Sequence, residues 1–124
     1  MELVKNIAPN EAQRFIGVWE GYAFASDGKG KFLYKITIED EKSGTIWLAT
    51  ESKRSHALYR INVIIQNNKL ECRGIEFIEN VAVGQTHFSL AILNLEYENI
   101  NGEKLIGKWN AQNMEGKVIV SKSK

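Results

Sequence analysis

The fold is constrained most by a succession of short alternating segments, none of which has a helical pattern long enough for a crossover connection. In one segment, Phe32, Tyr34, Ile36 and Ile38 alternate with other residues, as the inner face of a half-buried β-strand requires. Turn signals such as DGKG, EKSG and NN separate the segments at intervals of roughly a dozen residues. Strands joined by such short turns pair with their chain neighbours in antiparallel fashion.

This pattern predicts one domain, residues 1–124, that contains eight strands. The strands are expected at 17–26, 32–40, 45–52, 56–66, 69–79, 85–98, 103–112 and 117–121. An eight-stranded meander leaves two bare edges unless it closes into a barrel, whose interior is filled by side chains or by one small ligand. We therefore predict an all-β, eight-stranded antiparallel up-and-down barrel.

Two local signals refine this prediction. The stretch APNEAQRFI predicts a short N-terminal helix, since Pro9 suits an early helical position and Glu11 suits the first turn. This helix is expected to cover one end of the barrel. In the fifth strand the apolar phase slips at Gly74, which predicts a β-bulge there.

Composition limits the class of partner. Sixteen basic and fifteen acidic residues give a net charge of +1, which argues against a DNA or RNA polymer as the partner. Cys72 is the only cysteine and is expected to be a small buried hydrophobe in a protein of the reducing cytoplasm. The start, MELVKNIAPN, lacks the apolar core of a signal peptide, and we expect no membrane segment in this chain.

Signals for catalysis are weak. His56 and His87 are the only histidines, and no His/Cys set has zinc-ligand spacing. The Gly28-Lys29-Gly30 turn is too short for a phosphate-binding loop and no helix follows it. We expect a non-catalytic protein with no metal and no cofactor.

The opening of the first strand resembles the lipocalin and avidin barrels. Gly17-Val18-Trp19 matches the Gly-x-Trp unit of those families, and a second such unit is found at Gly107-Lys108-Trp109. The resemblance implies a lipocalin/avidin-like barrel in which Trp19 packs inside near the closed end. Lipocalins also place an arginine of the last strand over that tryptophan, where this chain offers Lys117 or Lys122.

The C-terminal run LIGKWNAQNMEGKVIVSK is similar to the barrel domain of bacterial anti-phage effectors associated with cyclic-nucleotide synthases. The matching positions are Leu105, Gly107, Trp109, Gly116, Val118 and Val120, together with Gly17, Trp19 and Gly21 at the opening and Thr50 and Ser52 on the third strand. This resemblance implies a cyclic dinucleotide bound inside the barrel, in phage-defence signalling.

The end of the barrel away from the N-terminal helix is expected to be an open mouth under the cationic turn KRS. The inner positions Gly21, Ala23 and Ala25 are small and favour a cavity below it. Aromatic rings stack on bases, hydroxyls offer donors and acceptors, and arginine suits phosphate. The candidate ligand-binding residues are Tyr34, Thr50, Ser52, Arg54, Tyr59 and Trp109.

Two alternatives remain open at this point. One is a lipocalin-like carrier of an apolar ligand, and the other is an interaction scaffold with a filled barrel. Residues expected to point outward and to cause self-association are Tyr22, Phe24, Leu93 and Leu95, with Trp47 as an interface marker. A homo-oligomer is therefore predicted.

Overall fold

A computed structural model describes residues 12–26, 28, 30–84 and 88–123 and shows a closed antiparallel β-barrel. The strands are β1 (Gly17–Ala25), β2 (Lys31–Ile38), β3 (Ser43–Thr50), β4 (His56–Gln66), β5 (Lys69–Val81), β6 (Ile92–Asn99), β7 (Glu103–Ala111) and β8 (Met114–Lys122). Each strand pairs with the next in sequence, and β1 pairs with β8 from Trp19↔Lys122 to Ala25↔Gly116. The predicted all-β antiparallel barrel is confirmed.

The predicted N-terminal helix is not supported. Its described part, residues 12–16, makes one turn, in which the Phe15 amide donates to Ala12 O (3.0 Å) and the Ile16 amide to Gln13 O (3.2 Å). The rest of the predicted helix lies outside the described residues. Among the described residues, no helix combines the length and the apolar character needed to cross a membrane.

Trp19 anchors what we call the closed end of the barrel, the end covered by residues 12–16. Its side chain is completely buried, and its indole N–H donates to Phe15 O at 2.9 Å. The Lys122 ammonium lies 5.1 Å from the centre of the Trp19 ring and donates to Arg14 O at 2.8 Å. A cation from the last strand therefore covers this tryptophan, and here the cation is a lysine.

The interior is a single apolar cluster built from alternate residues of all eight strands. Its largest fully buried members on the strands are Trp19, Tyr59, Ile36, Ile38, Ile46, Ile61, Leu70, Leu93, Leu105, Val118 and Val120. Leu93 and Leu95 point inward, opposite Cys72 and Leu70 on β5. The prediction that Leu93 and Leu95 point outward is wrong, because both alternating sets in this stretch are apolar and periodicity alone does not choose between them.

The bulge predicted at Gly74 is confirmed, and β5 contains a second one. Ile61 of β4 pairs with Gly74 and Arg60 with Glu76, so Ile75 is an extra residue. Ile78 is skipped in the same way between Phe77 and Glu79. Both bulges lie in the second half of β5, after Arg73, which is the last β5 residue that pairs with β6.

The sixth strand begins later than predicted. The sequence predicted a strand over 85–98, whereas β6 begins at Ile92. Residues 88–91 instead cross the far end of the barrel, the end opposite Trp19: Phe88 packs on Phe32 of β2, and Ala91 O accepts the Gly74 amide of β5 at 2.9 Å. Residues 85–87, which belong to the predicted strand, lie outside the described residues.

Candidate functional site

The predicted site residues fall into three places. Tyr34 and Tyr59 lie in the interior, on β2 and β4, and both are buried. Burial raises the pKa of Tyr34 to about 12 and raises that of Tyr59 well above its ordinary value. The two phenol groups are close enough to affect each other's pKa, yet the Tyr59 hydroxyl makes no hydrogen bond of normal geometry.

Thr50, Ser52 and Arg54 lie together in the turn between β3 and β4 at the far end. The Thr50 and Ser52 hydroxyls are 3.3 Å apart, and the Arg54 amide donates to the Ser52 hydroxyl at 3.3 Å. Thr50 also accepts the Ser55 amide at 3.4 Å. The hydroxyls of this turn are therefore engaged with their own chain, while Ser52 and Arg54 are exposed.

Ser55 connects this turn to the segment after β5. Its buried hydroxyl accepts the Val83 amide at 2.8 Å, and its own amide is held by Thr50. A serine that is 1% exposed and bonded to two segments has a structural role in positioning the turn. Sequence reasoning did not single it out, because a serine in a polar turn carries no periodic signal.

Trp109 is separated from both groups. It lies near the far end of β7, is 7% exposed, and donates its indole N–H to Phe24 O at 3.0 Å. This hydrogen bond connects β7 to β1 across β8, next to Gly116. Trp109 thus forms part of the inner wall, and its polar atom is already satisfied.

The far end of the barrel is covered in part by an aromatic side chain. Phe88 is 6% exposed and its ring packs edge-to-face on Phe32, with centroids 6.4 Å apart. Leu90 packs near Gly74 and the Tyr59 ring, since a Cβ at Gly74 would lie 3.0 Å from Tyr59 Cε1 and 3.1 Å from Leu90 Cβ. Residues 88–91 therefore fill the region where an open mouth was expected.

A concave region lined by described residues lies on the outer wall. It is a groove of about 740 Å³ above β2, which we call the β2 groove. Its apolar and aromatic walls are formed by Tyr22, Leu33, Trp47 and Leu58, and Lys35 and Lys53 add positive charge. Trp47 and Tyr22 point outward, as predicted.

The β2 groove is built by strand register. Lys35 lies between Glu20 of β1 and Trp47 of β3, and Trp47 in turn lies opposite Leu58 of β4. Four outward residues of neighbouring strands therefore form one row across the wall. Trp47 was visible in the sequence, but Leu33 and Leu58 were missed because their proximity depends on pairing.

Within the described ranges, no three metal-ligating side chains come together. Comparisons with protein-family models, curated proteins and solved structures find no match for this chain.

Proposed function

We propose that this barrel is a non-catalytic, self-associating interaction scaffold of the cytoplasm, in which the β2 groove binds a second copy of the chain. The observation that carries the proposal is the contrast between the two sides of the wall. Side chains occupy the interior, whereas an aromatic groove is open on the outside. Tryptophan and tyrosine are enriched at protein interfaces, and monomers rarely leave large apolar patches uncovered.

A second copy suits this groove because the pairing is self-complementary. In a twofold dimer the same surface patch of each copy forms the interface, so an aromatic side chain of one copy can enter the groove of the other. Tyr22 forms one edge of the groove with 42% of its surface exposed, and the Lys31 ammonium lies 4.3 Å from the centre of its ring. Tyr22 is the side chain we expect to enter the partner's groove against Trp47.

Sedimentation velocity at micromolar concentration tests this proposal. Trp47→Ala should weaken the dimer by about 2 kcal/mol, the size of an interface hot spot. Ile64→Ala is the matched control, because Ile64 is an outward apolar residue of β4 with 51% exposure and lies outside the β2 groove. A wild-type chain that stays monomeric at high concentration would exclude the scaffold role.

A second candidate is a receptor for a nucleotide-type signal such as a cyclic dinucleotide, bound inside the barrel in phage-defence signalling. The observation that favours it is the buried Tyr59 hydroxyl, which makes no hydrogen bond of normal geometry although the Tyr34 hydroxyl lies close to it. Buried polar atoms are nearly always paired, so this atom marks a place where a ligand atom fits. Binding would require Phe88 to leave Phe32.

A thermal-shift screen separates this candidate from the remaining alternative, a carrier of apolar ligands. Cyclic di- and trinucleotides are compared with fatty acids and retinoids. A ligand that binds only the folded state at a hundredfold excess over its dissociation constant stabilises it by about 2.7 kcal/mol. A shift with nucleotides that is lost in Arg54→Ala supports the receptor. A shift with lipids alone supports the carrier, and no shift leaves the scaffold.

A further inference from the structure

The outer wall formed by β7, β8, β1 and β2 carries a row of three lysines, of which Lys31 is ion-paired with Glu51 at 3.9 Å and the other two, Lys108 and Lys117, lie directly opposite one another. Lys31 lies opposite Phe24, Phe24 opposite Lys117, and Lys117 opposite Lys108. These four residues therefore occupy neighbouring positions on four adjacent strands. We call the three lysines among them the lysine row.

The pairing of Lys108 with Lys117 is unfavourable in the isolated chain. Both side chains are exposed and face the same side of the sheet, and like charges directly opposite one another destabilise an antiparallel pair. The other cross-strand neighbours of this pair are Phe24 and Asn94, which carry no charge. An anion bound between the two ammonium groups would remove this repulsion.

A second row of apolar side chains runs directly beside the lysine row. Leu33, Tyr22, Ile119 and Ile106 occupy neighbouring positions on β2, β1, β8 and β7. Tyr22 and Ile119 are each 42% exposed. The ring centroids of Tyr22 and Phe24 are 6.3 Å apart, so the two rows share an aromatic pair.

The near-zero net charge of the chain conceals a segregation of charge between the two sides of the barrel. Outward positions of β7, β8, β1 and β2 hold five lysines, which are Lys31, Lys35, Lys104, Lys108 and Lys117, against Glu20 and Glu115. Outward positions of β4, β5 and β6 hold Arg60, Lys69 and Arg73 against Glu71, Glu76, Glu79, Glu96 and Glu98. The first wall is basic and the second is acidic.

We propose that the basic wall binds single-stranded nucleic acid, with bases stacked on Tyr22 and Phe24 and phosphates held by the lysine row. Sequence-tolerant binding of single strands combines aromatic platforms with a cationic track, and both are present here. A concave region of about 400 Å³ lined by Phe24, Lys108 and Lys117, with Ser26 and Glu115, gives room beside the aromatic pair.

The curvature of the wall favours a flexible chain as the occupant. The lysine row crosses three strand spacings, which is roughly 14 Å around a convex barrel. A flexible single strand follows such a surface, whereas a flat bilayer or a rigid duplex touches only its crest. The inference extends beyond self-association, because Lys108 and Lys117 lie on β7 and β8, outside the β2 groove.

Fluorescence anisotropy with a labelled oligothymidylate and with the matching oligouridylate, over a range of salt concentrations, tests the proposal. For single strands, the slope of log affinity against log salt is about −0.7 per phosphate neutralised, so the three lysines of the row predict a slope of roughly −2. Removing two contacts with the double variant Lys108→Gln, Lys117→Gln should make the slope shallower by about 1.4. The double variant Lys42→Gln, Lys69→Gln removes two exposed lysines from other parts of the surface and should leave the slope unchanged.

A second arm tests the aromatic pair. The variant is Phe24→Ala, because Phe24 belongs to the aromatic pair but does not line the β2 groove. It should weaken binding by a similar factor at every salt concentration, because stacking is not mainly Coulombic. Ile64→Ala, on the acidic wall, should have no effect. Sedimentation of the same variants reports self-association separately, so loss of dimers and loss of oligonucleotide binding are distinguished.

Three results would overturn the proposal. One is the absence of oligonucleotide binding even at the lowest salt concentration. Another is an equal loss of slope in the Lys42→Gln, Lys69→Gln control. The third is binding of polyglutamate as tight as that of an oligonucleotide of equal charge, which would assign the wall to acidic polypeptides.

Discussion

Trp19 is the residue on which the closed end of the barrel depends. It is completely buried, its N–H is bonded to Phe15 O at 2.9 Å, and Tyr97 meets it edge-on with centroids 6.3 Å apart. Trp19→Ala should therefore reduce the free energy of unfolding by roughly 3–5 kcal/mol, as for other large core deletions. Urea unfolding gives this value, and Trp19→Phe separates the lost volume from the lost hydrogen bond. A change below about 1 kcal/mol would contradict the packing described.

Substitution of Tyr59 by phenylalanine should have the opposite effect on the free energy of unfolding. Its hydroxyl is buried without a hydrogen-bond partner, and an unpaired buried group carries a desolvation penalty of about 1–3 kcal/mol. Tyr59→Phe removes that group, so the free energy of unfolding should stay constant or rise. Tyr97→Phe is the control, because the Tyr97 hydroxyl donates to Glu103 Oε1 at 2.8 Å and its loss should not stabilise the fold. Clear destabilisation by Tyr59→Phe would show that a bound water or ligand satisfies the hydroxyl.

Closure of the barrel depends on glycines where neighbouring strands approach closely. A Cβ on Gly116 of β8 would lie 1.7 Å from Phe24 O and 2.4 Å from Trp109 Nε1, the two atoms joined by the hydrogen bond across β8. Gly116→Ala should consequently separate β8 from β1 and cost several kcal/mol. Gly84→Ala is the control, since its φ is +70° but no atom lies within 4 Å of its Cβ position. The strain of that backbone conformation alone is worth roughly 1–2 kcal/mol.

Chemical denaturation of both glycine variants measures the difference. The prediction requires Gly116→Ala to be clearly less stable than Gly84→Ala. Equal losses would mean that β1 and β8 can move apart without cost, and that closure contributes little to the stability of the fold.

At the level of strands, the sequence predicts well where periodicity and turn chemistry agree. β4 has the predicted bounds, and the NN turn that follows it contains Asn67 with φ 58°, the conformation such a turn requires. The prediction of β6 was wrong in its start and its phase because both alternating sets contain apolar residues between Phe88 and Leu95. The start and the phase of this strand are set by pairing with β5, where only residues from Lys69 to Arg73 accept it. Long-range pairing of this kind leaves no local signal.

The candidate sites also combine features that alternation along one strand predicts with features that only pairing between strands creates. Alternation along β2 and β4 placed Tyr34 and Tyr59 inside the barrel, and the structure brings the two together. The same alternation suggested a cavity at Ala23 and Ala25, but neighbouring strands and Phe88 contribute side chains to that region, which no single strand reveals. The β2 groove and the lysine row likewise exist only across strands. Their residues are far apart in sequence and become neighbours through register.

The stability of the whole barrel should depend on pH in the alkaline range, because a thiol and a phenol that can lose a proton are buried in its interior. Burial raises the pKa of Cys72 from 9.0 to about 12 and that of Tyr34 from 10.0 to about 12. Between the unfolded and folded pKa values, the unfolded chain has lost a proton that the folded chain keeps, so stability falls as pH rises. The free energy of unfolding should thus be constant near neutrality and decline from about pH 9 towards pH 12, by about 1.4 kcal/mol for each unit of pKa difference.

Urea midpoints measured across this pH range test the linkage, with two variants that remove one titrating group each. Cys72→Val should flatten the decline from about pH 9, and Tyr34→Phe should flatten it from about pH 10. Each variant also changes packing, but that contribution is the same at pH 7 as at high pH, so the midpoint at pH 7 serves as its internal reference. Curves for both variants that run parallel to the wild-type curve would show that these two groups are not held protonated by the barrel. A decline that follows the expected order would show that burial keeps both groups protonated in the folded barrel at pH values where the unfolded chain has lost these protons.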